Sequence, residues 1–479
     1  VLSSETWTGL IAALAEEPSA ALLALWADTV QVHALLQDTI SSELLLASTA
    51  VVAGGYPALS PVRPLAAWFE RLVHDLWGHT ASGGTDLRPW LDHGRWPHAQ
   101  PMAPRHGVGG GSPEPPEFLT EPDENLHQIP LGPIHAGIAA ASHLRLTGRG
   151  EAIVRLEARL GYAHKGTLIL MRGKSPRTSA RFAARLAAES TVAHSIAFAR
   201  ATEAALAIEP PPLALALRGV MAEIERIVGH LDDLAGIGRS AGFAVLAERC
   251  ARLQEAMHRA AGVAFGHRLM MDCVIPGGVA AAITPGGPEA IRRAITSLQE
   301  GFPELERLQD ASALAGRLPG LGIISTVEAA SFAAGGVVGR AAGYGSDVRR
   351  LPGYAPYDAL GVAVLVEATG DAAARARLRL REIAESIRVL HALLASLPDG
   401  AVSVPLPTES GEGVGYAEGF RGDIWHWLRL DHGQIASVFM RDPGWAHWPL
   451  FEATAVGCEV ADMPLIQASF GLASSGVDL

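Results

Sequence analysis

Residues that could hold a metal or move a proton are sparse in this chain, and their spacing limits what they can do. Three cysteines, Cys250, Cys273 and Cys458, stand far apart and form no CxxC pair. Neither a disulfide framework nor a single-chain zinc or iron–sulfur site is indicated, and all three read as buried small hydrophobes. His135 lies in the Gly/Pro loop LGPIHAG, where binding and loop structure are equally open readings. His194, in TVAHS, falls on an Ala-rich helical stretch, where a histidine is more often a satisfied core residue than a ligand. His79, His93 and His98 share no metal spacing, and His230 in VGHLDDL reads as a cap or bond to a neighbouring helix. Asp232 and Asp233 are adjacent, so on a helix they point about 100° apart, which favours solvation or a partner arginine over shared proton chemistry. The Gly109–Gly111 run lacks the Lys-Ser/Thr of a phosphate-binding loop. The tail PLIQASFGLASSGVDL, Pro464 to Leu479, holds Asp478 as its one ionisable side chain.

The elements that must position these residues are legible in outline. Residues 1–99 start with an Ala/Leu-rich helical pattern and pass through the β-leaning LLLASTAVVAG to a turn at Tyr56-Pro57. A helix over PLAAWFERLVHDLWG follows, with Trp68, Leu72 and Leu76 on one face. Residues 100–125, rich in Gly, Pro and acids, read as a linker. From 126 to 479 a hairpin turning at Gly148 and Gly150 precedes helical patterns over 176–207, 213–236, 241–261, 287–315 and 370–396. Strand-like alternation around a turn at Asp431-His432-Gly433 and a helix over WPLFEATAVG close the chain. The expectation is an α+β chain: a small N-terminal α/β unit, then a large, mainly helical bundle with peripheral β-hairpins.

Composition excludes several classes. At 479 residues with a net charge of −12 and no Lys/Arg-rich run, the chain lacks the footprint of a nucleic-acid binder. The apolar fraction is 49% against 18% charged, so part of the surface is expected to lie under other subunits. ALLALWADTVQVHALL is interrupted by Asp28 and His33, and no uninterrupted apolar run is long enough for a membrane span. VLSSETWTG lacks the basic start of a signal peptide.

Two sets of motifs resemble known families. YPALSPVRPLAAWFERLVHDLWGHTASGGTDLRPWL is similar to the 30-kilodalton subunit of respiratory complex I, with Trp68, Phe69, Glu70, Arg71, Asp75, Leu76 and Gly78 on its helix and then Asp86, Leu87 and Arg88. LGPIHAG, LGYAHKGT, EIERIVGHLDDLAG, PGGVA, GGVVGRAAGYGSDVRR, FRGD and WPLFEATAVGCEVADMPLI resemble the 49-kilodalton subunit and the large subunit of nickel–iron hydrogenases. Fusion of both units is a feature of formate-hydrogenlyase-type (group 4) enzymes.

What the resemblance implies is bounded by its departures. Hydrogenase large subunits bind nickel and iron through two CxxC pairs, and here those positions fall on Ala187, Ser190, Ala473 and Gly476. A methyl, a hydroxyl and a hydrogen cannot replace soft thiolates, so no metal is expected on this chain and no hydrogenase activity. No processing of the chain end is expected. Arg421 in FRGD matches the arginine that overhangs the metals, with Gly471 in place of its acidic partner, and a structural pair with Asp423 is expected. In complex I the emptied cavity reduces quinone, with the headgroup held by a histidine, matched by His135, and a tyrosine, whose position here is Pro176.

The resemblance therefore leaves two functions open. One is a hydrophilic-arm subunit passing electrons to a quinone-like acceptor in a cavity that includes His135, His194 and Arg421. The other is a non-catalytic scaffold linking other modules to an ion-translocating membrane arm. The implied partners are an iron–sulfur small subunit like the 20-kilodalton subunit of complex I, holding a 4Fe-4S cluster, membrane-arm subunits and an electron-input module. The chain itself is expected to bind no cofactor other than quinone and to sit on the cytoplasmic face of the bacterial inner membrane through those partners.

Overall fold

The structure, a computed structural model, describes residues 1–479 apart from 106, 110–111, 113, 120–122, 124 and 135–140. The chain begins with α1 (Ser4–Glu16), capped by Ser3, whose hydroxyl accepts from the Thr6 N–H. The helical pattern expected at the start ends there. The apolar run that follows is an antiparallel pair, β1 (Ala20–Ala27) and β2 (Gln31–Asp38), with β3 (Leu44–Ala50) beside β2. Most residues of β1 and β2 are buried on both faces, so the run carries no alternation that would separate strand from helix. Asp28 makes the turn: its carboxylate accepts from the Val30 and Gln31 N–H groups, each at 2.9 Å.

The aromatic-acidic helix α2 (Ala66–Trp77) is buried along most of its length, and its charged residues satisfy loop backbone. Glu70 accepts from Leu59 and Ser60, and Asp75 accepts from Trp90, Leu91 and Asp92. Arg71 donates to the carbonyls of Arg88 and Pro89 and pairs with Asp86 at 3.3 Å. That is why an Asp-Leu-Arg segment accompanies this helix.

A second antiparallel sheet has β5 (His143–Arg149) between β4 (His127–Leu131) and β6 (Ala152–Arg159). The single helix expected over 176–207 is two, α3 (Pro176–Ala183) and α4 (Thr191–Leu206). The break has a cause: at the restart both oxygens of buried Glu225 accept backbone N–H groups, from Val192 at 2.6 Å and Ala193 at 2.9 Å. The remaining long helices lie close to expectation: α5 (Pro212–Ser240), α6 (Ala244–Phe265), α7 (Gly287–Gln309) and α8 (Ala372–Ala395). The third sheet, β7 (Gly411–Glu418), β8 (Asp423–Asp431) and β9 (Gln434–Arg441), turns at His432-Gly433. Helices α9 (Gly444–Thr454) and α10 (Met463–Phe470) lead into the tail.

Helix α5 is the hub of the bundle, packing against α6, α8 and α10, while α4 lies across β7 and β8. The α4–β7 approach is set by Gly411, Gly413 and Gly415, which share one face of the strand. A Cβ at any of them would overlap the α4 backbone at Ala205, Ala201 or Ala197. The N-terminal sheet joins this core through stacked aromatics. Trp26 lies 5.4 Å from Phe439 and 5.2 Å from Trp427, Phe69 lies 4.7 Å from Trp445, and Arg429 donates to Asp28 at 2.6 Å.

Gly413→Ala is expected to cost about 1–3 kcal/mol, because the methyl meets helix backbone that no rotamer change can move. Urea unfolding of wild type and variant measures it.

Candidate functional site

The tail does not end at the surface. Val477, Asp478 and Leu479 are fully buried. The Asp478 carboxylate accepts from the N–H groups of Gly161 at 2.7 Å and Ala163 at 2.9 Å, and Lys165 Nζ donates to the Ser475 carbonyl. LGYAHKGT is thus the cradle for the tail. Burial raises the Asp478 carboxyl, against the pull of those N–H groups, and lowers the Lys165 ammonium.

Above the tail a cavity of about 690 Å³ opens between α5, α10 and the β7–β8 turn. Apolar wall comes from Trp448, Leu472 and Ala468, and charge from Asp232, Asp233, Arg239 and Arg421. Arg421 reaches it because Gly229 of α5 has no side chain: a Cβ there would overlap Phe420, and the Arg421 guanidinium lies 4.5 Å over that ring. The expected pair with Asp423 is not formed. Arg421 Nη1 donates to Glu189 Oε1 at 2.9 Å and Nη2 lies 3.8 Å from Asp233, while Asp423 pairs with Arg441 at 2.8 Å. Residues 421 and 423 have different partners, so proximity in sequence misleads.

The four positions at which the resemblance implies metal ligands hold no donor atoms suited to nickel or iron. Ala187 and Ser190 are buried just before α4, and Ala473 and Gly476 lie in the tail. The space a side chain at 476 would take holds the Asp442 carboxylate, and the space at 471 holds that of Asp233. Among the described residues no group of three or more His, Cys, Asp or Glu side chains could hold a metal ion. These residues do not fit a nickel–iron centre.

His194 is fully buried on α4. Its Nε2 lies 3.0 Å from Asp442 Oδ2 and its Nδ1 3.0 Å from His426 Nε2. Burial, and then His194, hold the His426 imidazole well below its ordinary range, so His426 is neutral. The other ring nitrogen of His426, Nδ1, is buried with no hydrogen-bond partner among the described residues. Burial alone would push the Asp442 carboxyl up, but the His194 bond, the Gly444 N–H and the Arg421 charge outweigh it, and the net shift is downward.

His135 lies outside the described residues. Pro176 opens α3 behind the Ser175 cap. His230 bonds Glu382 of α8 at 2.9 Å, and Asp232 and Asp233 diverge, Asp233 binding Arg379 at 2.9 Å and Asp232 facing Arg239. Glu189, Asp442 and Ser474 were not singled out in the sequence. Glu189 adjoins a former ligand position, Asp442 sits at the strand-to-helix corner RDPG, and Ser474 carried no signal beyond its place in the tail.

The family described as "Respiratory-chain NADH dehydrogenase, 49 Kd subunit" matches residues 238–409. An NADH-quinone oxidoreductase subunit of Rhizobium etli is 30% identical over 58% of this chain and 69% of its own. The chain belongs to the 49-kilodalton-subunit family. Formate hydrogenlyase subunit 5 of Escherichia coli K12 is 27% identical over 86% of this chain and 75% of its own, a span that takes in residues on both sides of the Gly/Pro-rich segment. The membrane-bound sulfane sulfur reductase, an archaeal respiratory membrane complex, contains a chain of the same fold. Its TM-score is 0.71 at 23% identity, covering 75% of this chain and all of that one. These relatives are components of multi-subunit assemblies, and among the described residues no helix of this chain is long and apolar enough to cross a membrane.

Asp442→Asn tests the carboxylate that fills the former ligand space. A lowered carboxyl stabilises the fold above its unfolded value, and that contribution is lost as pH falls through its folded value. At pH 7 the variant is expected to lose about 1–3 kcal/mol in urea unfolding. The gap to wild type should close on acidification below the ordinary carboxylate range.

Proposed function

We propose that this chain is a hydrophilic-arm subunit of a membrane-bound complex related to complex I and group 4 hydrogenases, in which the tail cavity takes electrons to a quinone-like acceptor rather than to a metal. The donor in this reading is a 4Fe-4S cluster of a neighbouring iron–sulfur small subunit, fed by an electron-input module. Turnover is coupled to ion translocation in membrane-arm subunits, through which the chain sits on the cytoplasmic face of the bacterial inner membrane. The observation that carries the reading is the cavity itself. The positions at which the resemblance implies metal ligands carry methyl, hydroxyl and hydrogen, and about 690 Å³ stays open beside Arg421 instead of being filled by side chains. Its mixed wall suits a ligand with an apolar ring and polar oxygens better than a simple ion.

One observation favours the scaffold reading. Pro176 brings no hydroxyl to the position where the resemblance implies a tyrosine.

The two readings part on one experiment. In the purified complex, a short-chain benzoquinone is expected to oxidise the chemically reduced iron–sulfur cluster, and Ala468→Trp, which narrows the cavity, to slow that reaction at least about tenfold without loss of subunits. A complex in which neither holds would be a scaffold.

A further inference from the structure

A second cavity, of about 350 Å³, lies at the seam between the N-terminal sheet and the large unit, and it shares no lining residue with the tail cavity. One wall is the end of β2 and the turn into β3, with Gln37, Thr39 and Ser42. The facing wall is the segment 344–351, with Tyr344, Ser346, Arg350 and Leu351, and Val364 closes it.

Gln37 is out of keeping with its surroundings. Side chains at 33, 35 and 37 of β2 share one face, and His33 lies 5.1 Å from Trp427 of β8, so that face looks toward the large unit. Leu35 is buried there, and so is Gln37, at 7% exposed. The Gln37 amide nevertheless has no hydrogen-bond partner among the described residues, and neither of its polar atoms is sealed off, so the surface it keeps opens into the cavity it lines. An amide left without a bond in such a place costs about 1–3 kcal/mol. Water entering the cavity can supply the bond, and so can a ligand that displaces the water.

The charge of the cavity is also uncommitted in one place. Asp347, the one acid in the wall among the described residues, is 3% exposed, and its oxygens accept from Arg349 at 2.7 and 3.1 Å, with Arg340 at 3.5 Å. Asp38 follows Gln37 but caps the turn, accepting from the Ile40 N–H at 2.7 Å and that of Ser41 at 3.3 Å. Arg350 is exposed, and among the described residues its guanidinium has neither a hydrogen bond nor an ion pair. The walls are fixed as well. Arg340 donates to the Ser346 carbonyl at 2.8 Å while binding Glu382 of α8, so the segment that carries Arg350 is tied to the buried charges of the bundle.

We propose that this cavity binds a small organic acid, with its carboxylate on Arg350, a hydroxyl or similar group on the Gln37 amide, and its apolar part against Tyr344, Leu351 and Val364. An inorganic ion would leave the apolar wall unused and Gln37 unmatched, whereas an apolar pocket with a few fixed polar groups is the usual form of a small-molecule site. The ligand touches both units at once. The site stands whether or not the tail cavity takes electrons.

The probe is 4-hydroxybenzoate, which joins a carboxylate, a ring and a hydroxyl, with 4-hydroxybenzamide as its uncharged counterpart, and saturation-transfer NMR on the intact complex reads the binding of each. The acid is expected to bind wild type, Arg350→Gln to weaken it at least about tenfold, the worth of a charge-assisted hydrogen bond, and Gln37→Leu roughly fivefold. The amide is expected to bind wild type at least about tenfold more weakly than the acid. Because the Gln37 amide has no protein partner to lose, the thermal midpoint of Gln37→Leu without ligand should hold or rise. Binding of the acid should be the same in Ala468→Trp, which alters only the other cavity.

No binding of 4-hydroxybenzoate, equal binding by wild type and Arg350→Gln, or a benzamide that binds as tightly as the acid would each overturn the proposal. A fall in thermal midpoint for Gln37→Leu with binding unchanged would make the amide structural and overturn its place in the site. Inorganic phosphate that displaces the acid at equal concentration would replace the organic acid with an inorganic anion. Binding lost in Ala468→Trp but kept in Arg350→Gln would move the acid to the tail cavity.

Discussion

The structure depends on a set of charges buried along α5 and satisfied from three directions. Arg226 of α5 lies 3.5 Å from Glu223 and 3.7 Å from Glu382 of α8, and it donates to the backbone carbonyls of Glu418 and Gly419 at the end of β7. Arg340 binds Glu382 and Glu418, and Arg349 binds Asp347 and Glu223. Each ion alone would cost several kcal/mol to desolvate, and removing one partner of such a pair typically costs about 3–5 kcal/mol. The charges nearly cancel as a group. Arg226, Arg340, Arg349 and Arg379 face Glu223, Glu382, Asp347, Asp233 and Glu418, and the surplus falls on Glu418, whose carboxyl is pushed up to about 7 by burial and then by Asp347. Hydrophobic packing alone would tolerate sliding of α5 against α8 and β7, but hydrogen bonds to guanidinium groups have directions.

That fixed register places the cavity. Asp233 and His230 follow Arg226 on α5, and the β7–β8 turn that Arg226 holds by its carbonyls is the turn that carries Phe420 and Arg421. A metal would have organised this corner through four covalent ligands. Here carboxylates do so, Asp442 and Asp233 occupying volume that the tail's glycines vacate and each meeting a cation or an imidazole. These electrostatic contacts hold because the corner is buried and the effective dielectric low.

How much of this was legible in the sequence varied with how local the cause was. Helices α5 to α8 follow from their apolar period, and the hairpin turns from their glycines. The expectation that no nickel–iron centre sits here rests on four residue types, Ala187, Ser190, Ala473 and Gly476. The first hairpin, β1–β2, was not legible, because a strand buried on both faces has no alternation and Ala and Leu suit either structure. The break before α4 depends on Glu225, distant in sequence, accepting its first N–H groups. The partners of Arg421 are likewise set by tertiary position. The alternating glycines at 411, 413 and 415 were a readable signal of a helix lying on the strand, since three missing side chains on one face need a neighbour close enough to exclude them.

The same reasoning explains why unpaired donors can persist at the tail. An unsatisfied buried donor costs about 1–3 kcal/mol, enough for a pliable loop to rearrange and bury the group against a carbonyl instead. This tail cannot rearrange. Asp478 is held by two backbone N–H groups of LGYAHKGT, Trp448 donates to the Ala473 carbonyl at 3.0 Å, and Arg375 binds Ser469 at the end of α10. These contacts fix the tail backbone, and the Ser474 side chain alone keeps rotational freedom. The cost of leaving one hydroxyl unpaired is small beside what anchors the tail, so the buried chain end keeps its place.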